Sequence, residues 1–272
     1  MIAFVTALAS EARPLIEHYR MERLEGAFPL FGSDGYRLVI SGIGKVAAAA
    51  ATGYLHARAG EARYGIFLNV GIAGHRTRTV GELVRAHTIL DAATKDCYYP
   101  TLLGFKELES AAVTTVDTPE LQFPADTLYD MEASAFYATA LRFSTSELIQ
   151  CLKVVSDNRE TATGAGGGLS KEHVSELVAT HLPIIDQFAA HSRTLAAELE
   201  PLRRAPEPLE RFQNRWRFTT SEKRQLRRLL TRCLALGDRP RPEDYDTVLK
   251  ASTVLSELDG RALALALEER RF

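Results

Sequence analysis

Cysteine is scarce: the 272-residue chain has three, Cys97, Cys151 and Cys233, far apart and odd in number. This excludes a disulfide framework and a Cys-x-x-Cys metal site, and it fits a reducing compartment, so a cytoplasmic protein is expected. None of the seven histidines has a partner at HxH or HxxxH spacing, so no metal is expected. No run of about 18 apolar residues occurs, and therefore no membrane span is expected. Neither charge sign dominates. With 33 basic and 35 acidic residues, the chain as a whole is not an electrostatic nucleic-acid binder. Fixed-period repeats and low-complexity tracts are also missing. A 25% charged and 46% hydrophobic composition is that of a globular protein. The charge is uneven, however: residues 1–200 carry 17 basic and 24 acidic side chains, residues 201–272 carry 16 and 11. A boundary is expected there, giving domains 1–198 and 199–272.

The first part alternates short apolar runs with amphipathic ones. The first nine residues, ending in Ala7-Leu8-Ala9, imitate a signal peptide but lack a basic leader, and Ile2–Ala7 reads as a buried strand. Ser10 is the expected cap of a helix with Pro14 in an early turn. Strands are expected at 36–41, 66–70, 83–89, 111–116 and 149–156, and helices at 46–59, 125–141 and, capped by Ser170, 170–196. The four glycines within 161–170 mark a loop. This alternation predicts an α/β layer fold with a mostly parallel sheet, in which ligands sit beyond the carboxyl ends of the strands. Ala9–Glu11, Gly42–Lys45, Gly71–Gly74, Asp117 and Ser156–Asp157 all fall at such ends.

Gly42-x-Gly44-x-x-Ala47, with Glu61 further on, loosely fits a dinucleotide fingerprint, and equally fits a tight strand-to-helix turn. Taken singly, Glu11 is a carboxylate favoured by a helix N-terminus, Glu132 a solvated helix residue, and Asp157 a turn cap. Three carboxylates on one rim would be different, since carboxyl groups in unlike environments divide acid and base roles.

Five segments in order, Ala7-Leu-Ala-Ser-Glu11, Ser41-Gly-Ile-Gly-Lys-Val-Ala47, Asn69-Val-Gly-Ile-Ala-Gly74, Met131-Glu-Ala-Ser-Ala135 and Lys153-Val-Val-Ser-Asp157, resemble the purine nucleoside phosphorylase/nucleosidase family, particularly its methylthioadenosine/S-adenosylhomocysteine nucleosidase branch. The resemblance spans about residues 1–195. It implies a three-layer αβα fold around a central mixed, mostly parallel sheet, a homo-oligomer with a dimer favoured, no cofactor, and a purine (adenine-type) nucleoside as substrate. It makes Asp157 the general acid at purine N7 and Glu11 the base that activates water. It gives Glu132 the ribose hydroxyls, with Met131 packed on the sugar and Ile72, Ala73, Gly74 and Ser156 lining the substrate. Asn69 and Ile72 stand where phosphorylases of the family grip phosphate with arginine and serine. Water is therefore the expected nucleophile, with Arg13 near Glu11 as the opening for phosphorolysis. Lys153 replaces the family's arginine, Asn158 follows the aspartate, and the 91–130 region is short. Thr115–Pro119 is expected at the base pocket without an aromatic.

A phosphorylase, a non-catalytic nucleoside binder with a partner-docking tail, and a dinucleotide binder are the alternatives. The tail is expected to be a small helical extension. Thr219–Glu222 has capping-box spacing, and Leu226, Leu229, Leu230, Cys233 and Leu234 form an apolar stripe expected to pack on the main domain. Arg215, Arg217, Lys223, Arg224, Arg227, Arg228 and Arg232, interleaved with Phe212, Trp216 and Phe218, then form a solvated basic face, with nucleic acid or an acidic partner as the other reading.

Overall fold

The computed structural model describes residues 1–58, 65–161, 169–203 and 206–269, and divides into two compact units, 1–197 and 198–272. The elements of the first unit are β1 (Ile2–Thr6), α1 (Ala9–His18), β2 (Glu22–Leu24), β3 (Leu30–Ser33), β4 (Tyr36–Ile40), α2 (Lys45–Arg58), β5 (Ile66–His75), β6 (Leu83–Asp91), β7 (Cys97–Tyr98), β8 (Ser110–Thr115), β9 (Leu128–Asp130), α3 (Ala133–Ala140), β10 (Ile149–Asp157), α4 (Lys171–Thr180) and most of α5 (Leu182–Arg203). Glu61, and most of the glycine-rich 161–170 segment, lie outside the described residues.

The sheet is mixed, with five parallel and five antiparallel pairings, the longest registers being parallel. Pairings β1–β4, β1–β5, β5–β10, β6–β8 and β8–β9 are parallel, while β2–β3, β3–β4, β5–β9, β6–β7 and β6–β10 are antiparallel. Two features bring in the antiparallel half. The short β2–β3 excursion returns by hairpin turns to β4. The strands β5, β9, β8, β6 and β10 also pair in succession, and β10 pairs back on β5, closing a ring. The long β5 makes closure possible, because β1 covers Ile66–Asn69 and β9 takes over at Gly74–His75. Gly71–Gly74 is accordingly strand, not the turn expected after Val70.

β1, β5 and β10 are buried along most of their length, so their sequences read as continuous apolar runs. The alanine-rich α2 packs against α3 and buries Ala48, Ala51, Thr52 and Leu55. α1 packs against α4. Pro14 lies inside α1 and has no N–H for the Ser10 carbonyl, which instead accepts the Ser175 hydroxyl of α4 at 2.7 Å. Leu8, not Ser10, occupies the N-cap of α1. Where one helix was expected over 125–141, the buried triplet Leu128-Tyr129-Asp130 pairs with β5 and β8, and α3 starts only at Ala133. Ser170 caps α4, accepting the His173 N–H at 3.1 Å, but that helix stops at Thr180 and α5 continues separately through Pro201.

The described second unit is helical: α6 (Leu209–Arg215), α7 (Thr220–Ala235), a 3-10 turn at Pro242–Tyr245 and α8 (Ala251–Glu269). Thr219 and Glu222 form the expected capping box. The α7 stripe finds its partners inside this unit. Leu226, Leu229, Leu230 and Cys233 cluster with Phe212, Trp216, Tyr245, Val254, Leu255 and Leu258. The aromatic residues and α8 supply apolar area that the stripe buries.

Candidate active site

One cleft gathers every expected site residue: Glu11, Ile72, Ala73, Gly74, Met131, Glu132, Ser156 and Asp157 all line it. It encloses a volume of about 190 Å³ and opens beyond the carboxyl ends of β1, β5 and β10. Ala7, Leu8, Ile43, Val116, Pro119, Glu120, Leu121, Tyr129 and Asp130 complete the wall.

Glu11 is placed by the first turn of α1. Its Oε2 accepts the backbone N–H groups of Ala7 (2.9 Å) and Leu8 (2.8 Å), and its Oε1 accepts that of Ile72 (2.9 Å). β5 can come this close only because residue 71 is glycine: a Cβ there would lie 2.7 Å from Glu11 Oε1. Burial raises the Glu11 carboxyl above its ordinary range, against the opposing pull of Lys153 and the three N–H donors.

Glu132 is the N-cap residue of α3, yet its side chain makes no cap bond. Asp130 does that work, accepting from the N–H of Ala133 at 2.7 Å and of Glu132 at 3.3 Å. The Glu132 carboxylate is thereby released into the cleft, where Oε1 accepts the Gly44 N–H at 2.7 Å. Gly42 and Gly44 have φ of +85° and +100°, which explains the glycine spacing as a turn. The donor that a dinucleotide phosphate would need at Gly44 is committed to Glu132. Burial raises Glu132 as well, with Asp130 and Glu11 adding to that rise while Lys153 and the Gly44 N–H oppose it.

Asp157 ends β10 at an irregularity. Val155 pairs with Ala73 and Asp157 with Gly74, so Ser156 is an extra residue, and such a bulge re-aims the side chain that follows. The Ser156 hydroxyl donates to Asp157 Oδ1 at 2.5 Å. Asp157 is half-buried, unlike Glu11 and Glu132.

Behind the cleft lies Lys153, 1% exposed, with Nζ 2.8 Å from Asp130 Oδ2. Burial alone would lower its ammonium, but Asp130 and Glu132 outweigh this and raise it. Asp130 Oδ1 also accepts the Thr115 hydroxyl at 2.7 Å, and Thr115 Oγ1 accepts the Ser134 N–H at 3.0 Å. From Ser134 the chain of bonds runs to Asp91 (2.8 Å), then Lys45 (3.0 Å) and Asp117 (2.8 Å).

The cleft wall carries five carboxylates, Glu11, Glu120, Asp130, Glu132 and Asp157, and no lysine, arginine or histidine. Arg13, considered for phosphate, is 71% exposed at its side chain and pairs with Glu17 at 2.8 Å outside the cleft wall. Asn69 is buried and donates to the Val5 carbonyl at 3.0 Å. Thr115–Pro119 does reach the cleft through Val116 and Pro119. An aromatic that sequence reasoning missed, Tyr129, joins them from β9. The missed helix-for-strand assignment at 128–130 hid both Tyr129 and Asp130. Among the described residues no group of acidic, histidine and cysteine side chains is arranged to hold a metal ion.

No protein-family model matches the chain, and no curated protein matches it in sequence. Solved structures do resemble it. The 5′-methylthioadenosine nucleosidase of Arabidopsis thaliana superposes with a TM-score of 0.54 at 16% identity, covering 72% of this chain and 95% of that one. The 5′-methylthioadenosine/S-adenosylhomocysteine nucleosidase of Helicobacter pylori, solved with butyl-thio-DADMe-Immucillin-A, gives 0.52 at 14%, covering 70% and 97%. The futalosine hydrolase of the same organism gives 0.51 at 14%, with the same coverage. The chain therefore contains the mixed α/β fold of these nucleosidases.

Proposed function

We propose that the first unit is a purine nucleosidase that hydrolyses the N-glycosidic bond with water. The observation that carries this reading is the convergence of Glu11, Glu132 and Asp157 on one cleft whose wall has no basic side chain. Departure of a purine leaves positive charge on the sugar, which carboxylates stabilise, and it needs a proton on the leaving base. Asp157, at the bulged end of β10, is the proton donor to N7. A base seated over it excludes the water that now reaches it. Glu11, locked by three N–H donors, orients and deprotonates the attacking water. Glu132 accepts the ribose hydroxyls, and Met131 packs on the sugar. A phosphate dianion would meet five carboxylates and no cation, which favours water over phosphorolysis.

A homodimer belongs to the same proposal. Ile43 and Leu121 line the cleft but are 60% and 66% exposed, apolar area that a second copy would cover. Chromatography for free base after incubation with purine nucleosides in phosphate-free buffer tests the reading. Release by the intact protein, lost in Asp157→Asn and Glu11→Gln, is expected. Turnover only with added phosphate, or none at all, would overturn it.

A further inference from the structure

The basic residues of the second unit have no part in the roles above, and within that unit the charges are segregated. α7 carries Lys223, Arg224, Arg227, Arg228 and Arg232 against a single acid, Glu222, whose Oε2 is committed to the Thr219 N–H at 2.8 Å. The acids gather instead over 238–259, where they take up other arginines. Arg211 pairs with Glu243 at 2.6 Å, Arg215 with Asp246 at 2.7 Å, Arg232 with Asp259 at 3.8 Å, and Arg261 with Asp238 and Asp244 at 2.5 and 3.0 Å. Four cations are left over. Lys223, Arg224 and Arg228, with Arg217 two residues ahead of the Thr219 cap, are exposed and have no acidic partner among the described residues. Because α7 buries Leu226, Leu229, Leu230 and Cys233, the helical period turns Arg224 and Arg228 away from that stripe, with a rise of about 6 Å between them. Like charges four residues apart disfavour an isolated helix, so the pair is a cost until an anion lies over it.

We propose that this face of α7 binds the phosphate backbone of a duplex nucleic acid without regard to base sequence. A duplex presents one charge per about 1.7 Å of its axis, so several phosphates face the four cations at once. Arginine forks hold phosphate oxygens in pairs. A single strand fits less well, because it is gripped by stacking its bases on aromatic side chains. Phe212, Trp216 and Phe218, interleaved with the cations in sequence, are buried in the core of their own unit, where Trp216 Nε1 donates to the Val248 carbonyl at 2.9 Å. A lipid surface fits less well too, since a helix lying on a membrane inserts the apolar face that α7 buries. Protein interfaces centre on apolar and aromatic anchors, whereas the exposed residues among these cations, Thr220, Ser221 and Gln225, are polar. The surface holds whatever chemistry the cleft performs.

Fluorescence anisotropy of the full-length protein tests this, with short labelled DNA and RNA duplexes of two unrelated sequences and the matching single strands. The expected result is duplex binding that is alike for both sequences and weakens about 100-fold between about 50 and 200 mM salt, as four phosphate contacts require. Arg224→Gln combined with Arg228→Gln should weaken it and flatten the log–log salt slope by about 2, at an unchanged Tm. Arg211→Gln, whose cation serves Glu243, should leave the slope as it is. No binding of either duplex at about 50 mM salt overturns the proposal. So does a single strand bound as tightly as a duplex, a strong preference for one sequence, or a slope that the double variant leaves unchanged or that Arg211→Gln flattens equally. Tighter binding to phosphatidylserine vesicles or to polyglutamate would assign the face to a membrane or an acidic protein, and overturns it as well.

Discussion

At the scale of single residues, the cleft is governed by how the buried carboxylates of Glu11 and Glu132 are held in place. Glu11 depends on the missing side chain at position 71, where a Cβ would lie 2.7 Å from its carboxylate. Gly71→Ala should push Glu11 off its N–H donors. Displacements of this kind cost on the order of 100-fold in kcat/KM, with a smaller effect on substrate binding. Steady-state kinetics of base release check this. In the proposed role of base Glu11 must be ionised, and burial raises its carboxyl. Its active form is lost as pH falls through that raised value, so the acid limb of kcat/KM should lie above the ordinary glutamate value of about 4.3. Lys153 opposes the rise in both Glu11 and Glu132. Lys153→Met should therefore move the acid limb to still higher pH. It also strands Asp130 in the interior, where loss of a buried partner costs about 3–5 kcal/mol, visible as a lowered Tm. A variant that loses stability but keeps its pH profile would assign Lys153 to the fold alone.

At the scale of elements, the starts of α2 and α3 are tied together through Asp91. Burial alone would raise its carboxyl, but the N–H groups of Thr94 and Ala93, the Ser134 hydroxyl and the Lys45 ammonium hold it down to about 2. A depressed carboxyl contributes stability in full above its unfolded value near 3.9, and the contribution fades as pH falls toward 2. Thermal melts across pH 5 to 2 should show this decline, flattened in Asp91→Asn. This network is not legible in the sequence: Lys45 and Ser134 stand in two of the quoted segments, but Asp91, which joins them and lies 46 residues from Lys45, sits in no motif. What could be read were features with a local cause: the buried runs of β1 and β10, the α7 capping box, the glycine turn at 42–44. β9 was lost because three residues carry no period. Their strand conformation comes from partners far off in the chain, β5 and β8. The same miss turned Asp130, which caps α3 and pairs with Lys153, into an unremarkable neighbour of Glu132. Glu11, Glu132 and Asp157 were found through their segment resemblance, since each alone has an ordinary local explanation.

At the scale of the whole molecule, each unit encloses its own apolar cluster. Every member of the second cluster, from Leu209 to Ala262, belongs to the second unit. Phe212→Ala should remove about 3–5 kcal/mol from that unit. Base release by the first unit should stay at the wild-type rate, and calorimetry should show an early transition separated from the main one. A single, uniformly lowered transition with lost activity would mean that the two units unfold together. The closed strand circuit has a different consequence. A sheet is open to strand addition from another chain wherever its backbone donors and acceptors lie unpaired. Here β5, β9, β8, β6 and β10 turn back on one another, which leaves β2 and β7 as the flanks. These are three and two residues long, and β2 presents the exposed charges of Glu22 and Arg23. Among the described residues, fibril-like growth through this sheet thus has two short footholds, one of them guarded by ionic side chains.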